Sequence, residues 1–285
     1  MRRHSVIASV SAALAASLLA PLVLAAPLVF ESAGANPAAI TATRDAFRSA
    51  IGGGTVAGPA GSFGGLRREI NWDGVPDGFS DPNLLPANFF NVNSPRGVVF
   101  STPGTGFLVS ANAGGAVPVL FGFPNDFQTF SPQKLFTAVN SSVTDVHFFL
   151  PGTATAATTR AFGVIFTDVE VAGDTTMQFF DANGSLIFDE DAPVGGNQGL
   201  SFLGVIFDDA AVGSVRITSG RNTIVSNGVL GNPNDDIVVM DDFLFAEPRV
   251  AAVPEPETYV QMGIGLMVLA RVGQRRAQKA SKTRR

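Results

Sequence analysis

From Arg67 onward the chain alternates short runs of β-branched, aromatic and aliphatic residues with clusters of glycine, proline, asparagine and aspartate. The runs fall at 69–72, 97–101, 107–111, 117–121, 135–139, 145–150, 161–167, 175–180, 185–188, 201–207, 214–218 and 237–245. Short strands so punctuated predict a mainly β domain, an antiparallel β-sandwich or jelly roll. Nothing between the runs is long enough for crossover helices, which argues against a doubly wound α/β sheet.

The stretch before Arg67 has a different texture. A short strand is expected at 28–31, leading through Gly34 to one short N-terminal helix. Asn36 can cap that helix, Pro37 suits its first turn, and Ala39, Ile40, Phe47, Ala50 and Ile51 fall near one face at helical spacing. Gly52-Gly53-Gly54 ends it, and residues 52–65 read as a mobile loop. No Gly-Lys-Ser/Thr follows, so the glycines do not form a phosphate-binding loop. The clearest local feature is a hairpin whose Asn183-Gly184 can take the positive φ values of a tight turn between two β-rich arms.

The two ends carry targeting chemistry. Residues 1–25 read as a signal peptide, with Arg2 and Arg3 before an apolar stretch and Val23-Leu24-Ala25 as a small-residue site cleaved after Ala25; a retained N-terminal anchor is the competing reading. Residues 253–285 have three parts. Pro254 and Pro256 hold Glu255 in an extended segment that resists helix and sheet pairing. An uncharged run from Thr258 to Ala270 follows, and then seven lysines and arginines from Arg271 to Arg285 with no acid among them. The positive-inside bias places such a tail in the cytoplasm and the body outside. The uncharged run is shorter than the roughly 20 residues of a full span, so Arg271 would snorkel or the helix would continue through Val272 and Gly273. A proline-rich linker followed by a soluble basic helix is the alternative.

Val253-Pro254-Glu255-Pro256, the apolar segment and the arginine-rich end together resemble the PEP-CTERM sorting domain of exported bacterial proteins. That resemblance implies a membrane-anchoring C-terminal helix, recognition of Pro254, Glu255 and Pro256 by a membrane-embedded exosortase-type enzyme, and release of residues 26–252 to the cell surface or extracellular matrix. It also implies a setting in which extracellular polysaccharide is made. The segments beginning at Arg67, Asn91 and Met240 resemble ectodomains of other exported proteins with the same tail, a likeness that implies no known activity.

Charge sharpens the division of the chain. Residues 26–253 hold 22 acids and 10 bases, a net of −12, against +5 for the tail and +2 for the start, giving −5 for the 285 residues. An acidic body makes nucleic acid an unsuitable partner. There is no cysteine, which excludes thiol catalysis and disulfide staples, so the exported fold must hold by its core alone.

Candidate chemistry is sparse. His147 is the only histidine after the signal, and alternation puts it with Asp145 on the face opposite Val146 and Phe148. One imidazole cannot make a multi-histidine metal site. Acid pairs at Asp168 and Glu170, 189–191, and Asp208 and Asp209 are the route to a glycoside hydrolase, if two carboxyls face each other across a sugar. Trp72, between Asn71 and Asp73, is the one residue able to act as a sugar-stacking platform, with a core indole as the alternative. Residues 232–242 concentrate oxygen ligands, and Asp236 and Asp241 are the candidate ligands of a structural calcium; Asp241 and Asp242 should face opposite ways on a regular strand. The expectation is therefore an exported, non-enzymatic surface or matrix protein. A carbohydrate-binding jelly-roll module that engages extracellular polysaccharide is the alternative, and a carboxylate-pair glycoside hydrolase comes third.

Overall fold

A computed structural model describes residues 26–111, 120–224 and 236–250, together with Leu266, Met267 and Arg271. In chain order the elements are β1 (Leu28–Gly34), α1 (Pro37–Ile51), β2 (Ser62–Phe63), β3 (Arg67–Ile70), α2 (Phe89–Val92), β4 (Val98–Ser101), β5 (Gly106–Val109), β6 (Phe136–Val139) and β7 (Val143–Phe148). They continue with β8 (Ala161–Thr167), β9 (Thr176–Phe180), β10 (Leu186–Asp191), β11 (Leu200–Ile206), β12 (Ser214–Thr218) and β13 (Val239–Ala246). Every strand pair is antiparallel, in an eight-stranded sheet of order β1-β11-β8-β13-β3-β2 with β5 and β6 attached through β13, and a five-stranded sheet of order β10-β9-β12-β7-β4.

The expected β-rich domain is therefore built as two antiparallel sheets that fit a sandwich. The main core lies between them, where Phe162, Val164 and Phe166 of β8 meet Val146 and Phe148 of β7 and Val215 and Ile217 of β12. The other face of the large sheet is covered by α1. Asn36 caps the helix by accepting the Ala38 amide through Oδ1 (3.1 Å), and Pro37 occupies its first turn, as the sequence indicates. Ile40, Phe47 and Ile51 then pack on Ala161, Ile165, Leu200, Phe202 and Leu244. Because both faces are covered, β8, β11 and β13 are buried at every position, and their sequences read as continuous apolar runs rather than alternation.

Phe47 fixes where the helix sits. Gly163 and Gly204 face each other across β8 and β11, and a Cβ on either would come within 3.0 Å of the Phe47 ring. The two glycines leave a seat for the ring, which also makes edge contacts with Phe30 and Phe202 at 5.6 and 5.5 Å.

Several local expectations need correction. Segment 117–121 is no strand where described, since Leu120 and Phe121 take left-handed φ values of 50° and 55° in a short turn. The 52–65 loop is not free: it contains β2 and is tied by Arg67, whose guanidinium donates to the carbonyls of Gly52 and Gly54. At the β9–β10 hairpin only Gly184 has positive φ (81°); Asp181 accepts the amides of Asn183 and Ser185, and a register shift follows between Leu186 and Phe188. Ala25 and residues 1–24 of the expected signal lie outside the described residues, as do Pro254, Glu255, Pro256 and nearly all of the expected anchor. Among the described residues no helix is long and apolar enough to cross a membrane.

Replacing Gly204 with alanine should destabilise the fold by about 1–3 kcal/mol, because the new methyl would sit 2.8 Å from Phe47 and 2.9 Å from Phe202. Gly74→Ala, with open space around it, should stay within about 0.5 kcal/mol of the parent. Urea unfolding measures both, and equal midpoints would contradict the seating of α1 on the glycine pair.

Candidate functional site: a polar cleft under the helix

The site begins with an irregularity in β13. Its pairing with β8 runs from Met240 opposite Phe166 to Phe243 opposite Val164, so Asp241 and Asp242 together oppose one residue. This is a β-bulge, and it overturns the expectation that the two aspartates face opposite ways. Both are buried, and their carboxyls are hydrogen-bonded to each other. The Ser131 hydroxyl lies 3.1 Å from Asp241 Oδ1 and 2.9 Å from Asp242 Oδ1, while the Phe130 amide donates to Asp241 Oδ2 at 2.6 Å. Burial, with the charge of Asp242 next to it, pushes the Asp241 carboxyl well above the usual carboxylate range. Two touching carboxylates cannot both ionise cheaply, so both are pushed up and the pair tends to retain a proton.

Four arginines surround this pair. Arg44 occupies a core-facing position of α1 between Ile40 and Phe47; its Nε lies 2.8 Å from Asp45, its Nη1 4.0 Å from Asp242, and its guanidinium 4.6 Å from the centre of the Phe130 ring. One turn on, Arg48 binds Glu69 of β3 through Nε (2.8 Å) and Nη2 (2.5 Å). Arg67 Nε adds a third bond to Glu69 at 2.6 Å. Arg96, after α2, donates from Nε to the Glu69 carbonyl (2.8 Å) and from Nη1 to the Ser94 hydroxyl. Its guanidinium is pushed down to about 10 by burial, with Arg68 adding repulsion.

These groups wall a chain of cavities. One of about 270 Å³ lies between Arg48, Glu69, Arg96, Ser131 and Asp242. Asn71 and Arg96 also border a second, of about 360 Å³, whose other walls include Phe79, Phe89 and Asn93. Arg44, Arg48 and Phe63 also border a third, of about 570 Å³, beside Gly52 and Thr55. The three cavities share wall residues and so lie side by side, with aromatic rings among their linings, as one polar cleft region that begins at α1 and includes residues of β3.

Trp72 proves to be a core residue rather than a platform. It is 1% exposed, stacked on Phe136 at 4.0 Å with edge contacts to Phe90 and Phe243, and its Nε1 donates to the Asp241 carbonyl at 2.7 Å. The ring therefore has no free face for a sugar. It does mark the cleft: it touches the bulge that makes the site. His147 is on the predicted outer face, with Nε2 2.9 Å from Ser101 Oγ, but Asp145 is engaged by Arg216 at 2.8 and 3.1 Å and does not extend that pair to a triad.

The structure gives Asp236 and Asp241 separate partners. Asp236 accepts the amides of Glu170 and Val171, whereas Asp241 faces residues 130–131. Among the described residues no three His, Cys, Asp or Glu side chains form a metal-binding group, and 225–235 lie outside them. The acids considered for hydrolysis are dispersed: Glu170, Asp189, Asp191, Asp208 and Asp209 are exposed, while Asp168 is buried. Asp168 takes φ 74° and accepts the Gln198 amide at 2.7 Å, and its carboxyl is pushed up to about 7 by burial, with Glu170, Asp126 and Asp236 adding repulsion.

The arginines and the bulge were missed from sequence. Arg44 carried a signal, because Ile40, Arg44, Phe47 and Ile51 recur at spacings of four, three and four, which places a charge in an apolar stripe. The bulge left no comparable trace.

Two outcomes test this electrostatic picture. Asp241→Asn keeps an acceptor for Phe130 and a donor for Asp242, so its unfolding free energy should stay within about 1 kcal/mol of the parent, whereas Asp241→Ala should lose about 1–3 kcal/mol by stranding the Phe130 amide and Ser131 hydroxyl. Equal losses in urea titrations would mean that the carboxyl is held ionised. For Asp168 the raised pKa means that folding favours the protonated acid, so this stabilisation is full below the unfolded value of 3.8 and is lost as pH rises through about 7. Asp168→Asn should flatten the fall in melting temperature across that window, and an unchanged slope would contradict the assignment.

No protein-family model matches the chain, and no curated protein matches it. Among solved structures, it is similar to a glycoside hydrolase family 43 arabinoxylan arabinofuranohydrolase from Bacillus subtilis in complex with cellotetraose, at 15% identity and a TM-score of 0.27 over 54% of this chain and 27% of that one. It is also similar to the enzymatically active domain of tailspike protein 4 of bacteriophage CBA120, at 12% identity and a TM-score of 0.22 over 57% of this chain and 20% of that one.

Proposed function

We propose that the chain is an exported surface protein, sorted through its C-terminal tail, whose β-domain binds extracellular polysaccharide in the cleft beneath α1 without cleaving it. The observation that carries the binding reading is the cleft itself. Its guanidinium and carboxylate groups are held in fixed positions by mutual bonds, as in the bidentate Arg48–Glu69 pair, and the Phe63, Phe79 and Phe130 rings lie along the same walls. Preorganised planar polar groups beside aromatic surface suit sugar hydroxyls and ring faces, and cost little ordering on binding.

The carboxyl geometry favours binding over hydrolysis. Glycoside hydrolysis uses two carboxyls about 5–9.5 Å apart across the bond to be cut, whereas Asp241 and Asp242 contact each other and Glu69 is occupied by Arg48 and Arg67. Export and sorting rest on the residues 1–25 and on the Pro254-Glu255-Pro256 motif with its basic end. An exosortase-type enzyme and the membrane would be the partners in that step.

Affinity electrophoresis of the full chain in mild detergent, through gels containing bacterial extracellular polysaccharide, tests binding and turnover together. Retardation without release of reducing ends is expected. Release of reducing ends would overturn the non-cleaving assignment, and free migration in every gel would overturn binding. Mass spectrometry of chain recovered from the cell surface should find a C-terminus near Glu255; one intact to Arg285 would overturn sorting.

A further inference from the structure

We propose that the polysaccharide this cleft selects is anionic, with a carboxylate-bearing sugar, a uronate, seated against Arg96. The inference rests on the polysaccharide reading above and narrows its ligand class.

Among the described residues, Arg96 differs from the other cations of the cleft in having no paired acid. Arg44 is paired with Asp45 and lies near Asp242, and Arg48 and Arg67 share Glu69. Arg96 instead bonds a backbone carbonyl and a serine hydroxyl and lies 5.1 Å from the centre of the Phe90 ring, all of them neutral, so among the described residues hydrogen bonds reach only its Nε and Nη1. A guanidinium offers five N–H donors in a planar fork, which matches a carboxylate in two parallel bonds. Arg96 also borders both the 270 Å³ and the 360 Å³ cavities, where a ligand could reach its remaining donors. Burial without an acid, and repulsion from Arg68, already disfavour its charge, and an anion would supply what the fold omits.

The surroundings suit the rest of a sugar. Phe79 and Phe89 contribute apolar wall to the 360 Å³ cavity, and Asn71 and Asn93, also in its lining, carry amide donors and acceptors. Gly61, at φ 66°, lets Arg96 approach: a Cβ there would lie 2.6 Å from its Nε. Whole-chain charge makes the placement selective. The body has a net charge of −12, yet four of its ten bases, Arg44, Arg48, Arg67 and Arg96, line these cavities beside three acids, Asp45, Glu69 and Asp242. A polyanion is repelled elsewhere and attracted here.

Affinity electrophoresis with matched polymers tests the inference: polygalacturonate, the same polymer with its carboxyls reduced to hydroxymethyl groups, dextran sulfate and neutral dextran. Polygalacturonate should bind the full chain at least about tenfold more tightly than its reduced form, weaken on raising salt from about 20 to 200 mM, and lose that advantage in Arg96→Gln. Comparison of the parent chain on native and reduced polymer needs no mutation, so the test survives if Arg96→Gln fails to fold. Equal binding of native and reduced polymer would overturn anionic selection while leaving polysaccharide binding intact. Preference for dextran sulfate over polygalacturonate would overturn the uronate assignment, and binding of none would overturn both readings.

Discussion

The bulge at Asp241 and Asp242 is the constraint on which the rest of the large sheet depends. β13 pairs with β8 along one edge, and on its other edge it changes partner, from β6 at Met240 to β3 from Phe243 onward. The bulge in the β13–β8 pairing falls at the two residues between these partners. The same bulge turns the Asp241 carbonyl toward the Trp72 indole and both aspartate side chains toward Ser131. One local departure from regular pairing thus joins the aromatic core, the sheet register and the polar cleft.

The helix face explains why a polar site survives inside so apolar a structure. α1 covers the sheet with an apolar stripe that Arg44 interrupts, and the sheet answers with Glu69 and the aspartate pair. Buried charges are tolerated only when paired and hydrogen-bonded. Arg48 and Arg67 meet that condition through Glu69, and the aspartates meet it by keeping a proton between them. Among the described residues Arg96 has neutral partners at Nε and Nη1 and no paired acid. The bonded part of the network holds its geometry, and Arg96 is where an anionic ligand gains most.

The two functional layers of the chain sit in separate segments. Residues 1–25 and 253–285 carry apolar and basic patterns, and the β-domain between them is acidic. In the proposed role the tail delivers the domain to a polysaccharide-rich exterior and the cleft engages what is there. The absence of cysteine fits a fold held by apolar packing, with one cluster between the sheets, one beneath α1 and a third around Leu108, Leu135 and Val239.

Much of the fold was legible because its signals are local. Strand 161–167 and strand 214–218 were placed to the residue from β-rich runs bounded by turn formers, and Asn36-Pro37 located the start of α1 through its cap. The face of His147 followed from strict alternation on β7. The cleft was not legible, because Glu69, Arg96, Ser131 and Asp242 are brought together by contacts between distant segments. Trp72 could be singled out by its type, but whether its ring faced solvent or Phe136 depended on packing. Sequence alone determined the β-rich class of fold, the position of the longest helix among the described residues, the acidic body and the apolar and basic composition of both ends, since these depend on residue type and near-neighbour spacing. Only the tertiary structure decided that a bulge turns two adjacent aspartates to one side and that, among the described residues, Arg96 is left without a paired acid, since both depend on which distant segments meet.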